Sequence, residues 1–233
     1  MKNPNRGLHS TRNAGIKTVL ILVLVYTLIS RLVPFYPRMP GVGLDASCQF
    51  GHNQAVAQGL SFGKEIVFTF GPYASIQTRL YHPATDRMMI LGSLYLALSL
   101  GFSIILLLKG MRWYWILLFI LILAGLRQSP DTLLFIIPLV AGFCLYRIYP
   151  PGNAKPFSDR ISTIFVVICF FELGLLPLVK GSLLPLCLGT ILLASSWLSW
   201  NRKGWLALIC LGTPVLSMGM FWLMASQELT ALP

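Results

Sequence analysis

The chain has 233 residues, 56% of them apolar and 11% charged, with a mean hydropathy of +0.74 and a formal net charge of +11. A soluble domain carries about 25% charged residues, so a soluble fold is excluded, and the apolar residues fall in runs close to the ~20 that a bilayer-crossing helix needs. The cations flank those runs and form no basic patch with interleaved aromatics, which excludes a nucleic-acid partner.

Residues 1–15 read as a basic tail on the inner side of the membrane. The first predicted span is Ile16–Val33. It resembles a secretory signal, but Pro34, Pro37 and Pro40 follow it with no small-residue cleavage site, so it reads as an uncleaved anchor. Residues 34–87 form a long outer loop. Six further spans occupy residues 88–226: Met88–Leu108, Trp113–Leu126, Thr132–Tyr149, Ile161–Val179, Leu183–Trp200 and Gly204–Ser226. Residues 227–233 form a short outer tail. Pro138, Pro177, Pro185 and Pro214 lie in these spans, where a bundle tolerates kinks if neighbours satisfy the freed carbonyls.

The third span, Trp113–Leu126, has only 14 residues. A re-entrant segment is the competing reading, and charge decides against it. With seven crossings and the N-terminus inside, the inner segments hold 11 of the 18 basic residues against one acid, Asp159. This is the positive-inside pattern, whereas a re-entrant third segment would place Arg147, Lys155, Arg160, Arg202 and Lys203 outside. Of the five cysteines, Cys144, Cys169, Cys187 and Cys210 fall in spans and only Cys48 lies in the outer loop, so no intrachain disulfide framework is expected. The fold class is therefore an all-α integral membrane bundle of about seven helices with a structured first outer loop.

Loops beyond about 15 residues usually have a task. Asp45 is a good N-cap for a helix over Ala46–Gln58, with Gly59 as its left-handed stop. Ala46, Phe50, Val56, Ala57 and Leu60 share one side of that helix, which fits a helix lying along the membrane surface. Glu65–Phe70 reads as extended, and Gly71-Pro72 as a turn.

The motifs here are Asp45-Ala46-Ser47, Gln54-Ala55-Val56-Ala57-Gln58-Gly59 and Phe62-Gly63-Lys64-Glu65-Ile66-Val67-Phe68-Thr69-Phe70-Gly71-Pro72, followed by Ser129-Pro130-Asp131 and Leu178-Val179-Lys180-Gly181-Ser182 at the next outer turns. Together they resemble a group of bacterial multi-pass proteins similar to the class C membrane glycosyltransferases, the superfamily of aminoarabinose and protein mannosyl transferases. The resemblance implies a polyprenyl-phosphate sugar donor, a bacterial inner-membrane location, and the acid after the first span, Asp45, as catalytic base. It also implies that Asp131 helps to hold a divalent metal or to orient an acceptor. Two features depart from the pattern. Cys48 stands where similar proteins carry an aromatic residue, and such proteins have more spans, so the chain is expected to be the N-terminal part of a longer protein whose C-terminal half is a missing partner.

Each site residue also has a plainer reading. Asp45 serves equally as a helix cap. Asp131 serves as an ion-pair partner or cap at the start of the fourth span. Arg127 and Lys180, at outer span ends, suit a lipid phosphate or act as snorkelling anchors. Glu172 lies in the middle of the fifth span, where a charge costs about 2.5–3.5 kcal/mol on insertion scales. It supports a rival function, a proton-coupled transporter, and a non-catalytic membrane protein is the third reading. His52, His82, Asp45 and Asp86 share the outer side without zinc-type spacing.

Overall fold

In a bilayer the backbone must satisfy its own hydrogen bonds, which leaves long apolar segments no choice but helix. The structure, a computed structural model, describes residues 5–125, 130–150 and 159–231. Its helices are α1 (Asn5–Leu32), α2 (Leu44–Ala57), α3 (Ser75–Thr78), α4 (Asp86–Leu108), α5 (Trp113–Gly125), α6 (Pro130–Ile148), α7 (Asp159–Val179), α8 (Leu184–Trp200) and α9 (Gly204–Met224). Among the described residues there is no strand, only isolated bridges such as Phe70 with Lys180. Six of the helices are long and apolar enough to cross a membrane, and α5 is the shorter apolar helix. The membrane-capable part of α1 is Gly15–Leu32, close to the expected Ile16–Val33, and the helix continues upstream of it to Asn5.

Side-chain hydrogen bonds between helix ends show how the elements alternate. Arg147 near the end of α6 donates to the carbonyl of Lys109 just after α4, at 2.7 Å. Trp197 near the end of α8 donates to the Tyr149 carbonyl just after α6, at 2.9 Å. These bonds define one end of the bundle. At the other end the α7 terminus meets the start of α6 and the long loop, through Lys180–Asp131 at 2.9 Å and Gly181 N–H to the Thr69 carbonyl at 2.7 Å. The short α5 also runs between the two ends. Its first turn shares a recess with Lys17 of α1, and the carbonyl of Ala124 in its last turn accepts from Arg31 of α1 at 3.1 Å. Thirteen residues of α5 span about 20 Å at 1.5 Å each. The stretch of α1 from Lys17 to Arg31 covers about 21 Å by the same rise, so α5 goes from end to end and does not return.

α7 is the hub. About 61% of its apolar window is buried against 17% for α1, which sits at the periphery. Phe165, Cys169, Phe170 and Leu173 of α7 pack on Leu96, Leu100 and Ile104 of α4 and on Ile137, Ala141 and Cys144 of α6, all essentially inaccessible. Gly174 permits the close approach of α9: a Cβ there would collide with Ser217 Oγ and the Pro214 carbonyl oxygen. Small residues at such crossings let helix backbones meet when lipid offers no hydrophobic drive. The outward faces, with Leu22, Leu98, Phe143, Leu193 and Leu216 well exposed, suit acyl chains.

The loop between α1 and α4 is folded onto its end of the bundle. Gly71 lies so close to the Leu178 carbonyl that a Cβ would strike it, and Tyr73 N–H donates to that carbonyl at 3.1 Å. This satisfies one of the orphan acceptors that every helix C-terminus leaves. The Tyr73 hydroxyl donates to the Phe221 carbonyl of α9 at 3.0 Å, and burial pushes its pKa up to about 12. Farther along, the buried Gln227 after α9 accepts from Phe62 N–H at 2.9 Å and donates to the Leu60 carbonyl at 3.2 Å. Two local expectations change. Glu65–Phe70, expected to be extended, opens in a tight turn in which Gly63 N–H closes on the Ile66 carbonyl at 2.8 Å, and forms only isolated bridges at Ile66 and Phe70. Val56 and Leu60 of the expected apolar side pack partly on the core, but the residues α2 buries fully are His52, Asn53 and Ala55, because Asn53 donates to the Leu80 carbonyl at 3.1 Å and His52 packs among rings of the loop itself.

Candidate functional site

Pro130 opens α6, and Asp131 follows in its first turn. α7 stops at Val179, and Lys180 is extended (φ −150°, ψ 116°), which swings its side chain across to α6. Lys180 Nζ lies 2.9 Å from Asp131 Oδ2, and Gln77 Nε2 donates to Asp131 Oδ1. The ammonium is 5.6 Å from the centre of the Phe70 ring, a cation–π distance. Phe70 stacks with Phe68 at 5.9 Å, and both contact His52, at 5.6 and 4.9 Å. The aromatic ledge thus joins α2, the loop and the α6–α7 pair. Burial lowers the His52 pKa from the usual imidazole value. The pair itself is not sealed: the Lys180 side chain is 20% exposed and that of Asp131 43%.

Asp131 and Lys180, separate candidates in the sequence, therefore form one ion pair. Gln77 and Phe70 complete it and were not singled out, since nothing local marks a loop glutamine as the partner of an acid 54 residues later. Arg127 lies outside the described residues. Asp45 does not cap α2. The helix begins one residue before it, at Leu44, with Gly43 (φ 129°) as the capping residue and the Gly43 carbonyl accepting from Ser47 N–H at 3.0 Å. Glycine takes that backbone conformation without strain, so the start moves upstream and leaves the Asp45 carboxylate exposed in the first turn.

Glu172 is 1% exposed on α7, inside the bundle. Neither of its oxygens has a hydrogen-bond partner. Ser99 of α4, whose hydroxyl points to Cys169 Sγ at 3.8 Å, is the hydroxyl within reach of the carboxyl. Lys180 is occupied at the end of the same helix. His82 contacts Gln54 Oε1 at 3.2 Å while His52 sits in the ring cluster. Among the described residues no three His, Cys, Asp or Glu side chains converge to hold a metal ion. All five cysteines are free thiols.

Long apolar helices with exposed apolar flanks, alternating between two ends, define an integral, multi-pass membrane protein with one end closed by a folded loop. No protein-family model matches the chain, and neither a curated protein nor a solved structure does.

Proposed function

We propose that the loop end binds a lipid-linked phosphate sugar, and that the protein is a class C-like glycosyltransferase with Asp45 as general base and Lys180 beside the donor phosphate. The observation that supports this reading best is the Asp131–Lys180 pair: two opposite charges held at the level where the spans end, fixed by Gln77 and Phe70 yet partly open. A lipid phosphate travelling in the membrane would meet the lysine at that level, and a cation on phosphate gives a strong charge-assisted contact. The positive-inside rule orients the opposite, Lys/Arg-rich end and the N-terminus toward the cytoplasm, with the loop end facing out of a bacterial inner membrane.

The test is binding of a polyprenyl-phosphate sugar to the protein in nanodiscs. Lys180→Gln should weaken it about tenfold, the loss of one charge-assisted contact worth ~1.4 kcal/mol. Asp131→Asn frees the lysine from its competitor and should leave binding equal or tighter. Unchanged affinity in Lys180→Gln removes the lysine from the donor site.

A proton-coupled transporter is the second reading, favoured by the buried and unpaired Glu172 carboxyl. An intramembrane acid is a functional hypothesis by default. Glu172→Gln keeps the shape and removes the exchangeable acid, so substrate-driven proton uptake into proteoliposomes should disappear in that variant; uptake equal to wild type sinks the transporter reading.

A further inference from the structure

Three arginines meet at the loop end, away from the Asp131–Lys180 pair. Arg31 ends α1, Arg38 lies six residues after that helix, and Arg79 follows α3. The chain is built to bring them together. Arg38 N–H donates to the Arg79 carbonyl at 2.8 Å, and Tyr81 N–H donates to the Arg38 carbonyl at 2.8 Å, so two stretches of the loop run side by side. The Arg79 guanidinium reaches back and donates through Nη2 to the Arg31 carbonyl. Arg79 does so from a left-handed backbone conformation (φ 56°), which a non-glycine residue adopts only when its surroundings impose it.

Among the described residues, no carboxylate forms an ion pair with the cluster. Arg31 and Arg79 spend their Nη2 groups on backbone carbonyls, and the Nε of each is buried without a partner. Arg38 is exposed. Among the described residues, the ion pairs of this end involve other cations. Asp131 holds Lys180 and Gln77, Glu65 accepts from Ser61 N–H at 2.6 Å, and Glu228 faces Lys64 at 3.9 Å. Burial and the charges of Arg38 and Arg31 depress the Arg79 pKa, and no carboxylate offsets them. Like charges gathered at one place cost stability unless an anion joins them, and guanidinium groups match the geometry of phosphate oxygens.

The geometry points to Arg31, Arg38 and Arg79 as a binding site for a phosphate group at the membrane interface. The ligand is a phosphate monoester or diester, supplied by a membrane lipid headgroup or by a soluble phosphate compound. The inference is independent of sugar transfer, since it stands on an unbalanced charge cluster and its test uses no sugar.

The experiment follows thermal unfolding of the full chain in detergent by tryptophan fluorescence, at fixed ionic strength. The probes are inorganic phosphate, dioctanoyl phosphatidic acid and dioctanoyl phosphatidylcholine. Arg38→Gln is the informative variant because Arg38 is exposed, unlike the partly buried Arg31 and Arg79. Arg87→Gln, an exposed cation at the same end, is the control. Without ligand the Arg38→Gln midpoint should rise above wild type, because repulsion is relieved. With phosphate or phosphatidic acid the wild-type and Arg87→Gln midpoints should rise, while Arg38→Gln responds with apparent affinity at least ~tenfold weaker. Phosphatidic acid acting well below the concentration needed for inorganic phosphate identifies a lipid as the source; equal potency identifies a soluble one; both support the site. The proposal is overturned if wild type responds to neither probe, if phosphatidylcholine acts as well as phosphatidic acid, if Arg38→Gln responds like wild type, or if its ligand-free midpoint falls.

Discussion

On the proposed glycosyltransferase reading, replacing Asp45 with Asn should leave the protein folded and lower sugar transfer by about two to four orders of magnitude, the usual contribution of a general base. The structure makes this a cleaner experiment than the sequence suggested. A capping aspartate would confound the result, because its loss costs helix stability. Gly43 caps the start of the helix instead, with no side-chain capping bond. What remains is a surface charge in the first turn, attracted weakly to the helix dipole and screened by salt. Asp45→Asn and even Asp45→Ala should therefore unfold close to the wild-type temperature. Transfer activity is the sensitive readout: if Asp45→Asn turns over its substrate at the wild-type rate, Asp45 is not the base.

The second large effect is structural. Gly174→Leu should prevent the bundle from assembling, and Gly174→Ala should already cost more than the ~1–3 kcal/mol typical of overpacking. The atoms in the way include the Pro214 carbonyl oxygen and the Met218 amide nitrogen, 2.8 Å from where a Cβ would sit. These are backbone atoms and cannot rotate aside, so α9 as a whole would have to move off α7. Gly212 on α9 is the matched control, since a Cβ there meets nothing within 4 Å. Gly212→Ala should be neutral or slightly stabilising through helix propensity. Size-exclusion profiles and unfolding midpoints of the two alanine variants test this, and equal behaviour would mean that α7 and α9 are not in close contact at Gly174.

The spans were legible because lipid leaves one solution for each long apolar run. Trp113–Leu126 became Trp113–Gly125, and Ile161–Val179 became Asp159–Val179. The short third span, expected to cross from the charge distribution, is an apolar helix of 13 residues running alongside α1. The loop was less legible. The buried face of α2 is set by Leu80 and by the rings of Phe62, Phe68 and Phe70, partners distant in sequence that a helical wheel does not include. Asp131 and Lys180 were each suspected, but their pairing depends on where two different helices begin and end. The arginine cluster left no trace in the sequence, because Arg38 and Arg79 are 41 positions apart and are joined only by main-chain bonds across the loop.

Gln227 gives the molecule an order in time. It lies 165 positions after Phe62, whose amide it receives. At ~5–20 residues per second of synthesis, the loop waits about ten to thirty seconds between its own emergence and that of the residue that fastens it. Lys180 and the Leu178 carbonyl, which hold the loop from the α7 side, also arrive late in that interval. Throughout it the segment around Phe62 hangs beyond the membrane without its anchor. A chain arrested before α9 would therefore keep its early helices and lack a finished outer face. The stretch from α9 to Gln227 thus supplies the anchor of this loop, and a chain without it should expose the segment around Phe62 to added protease.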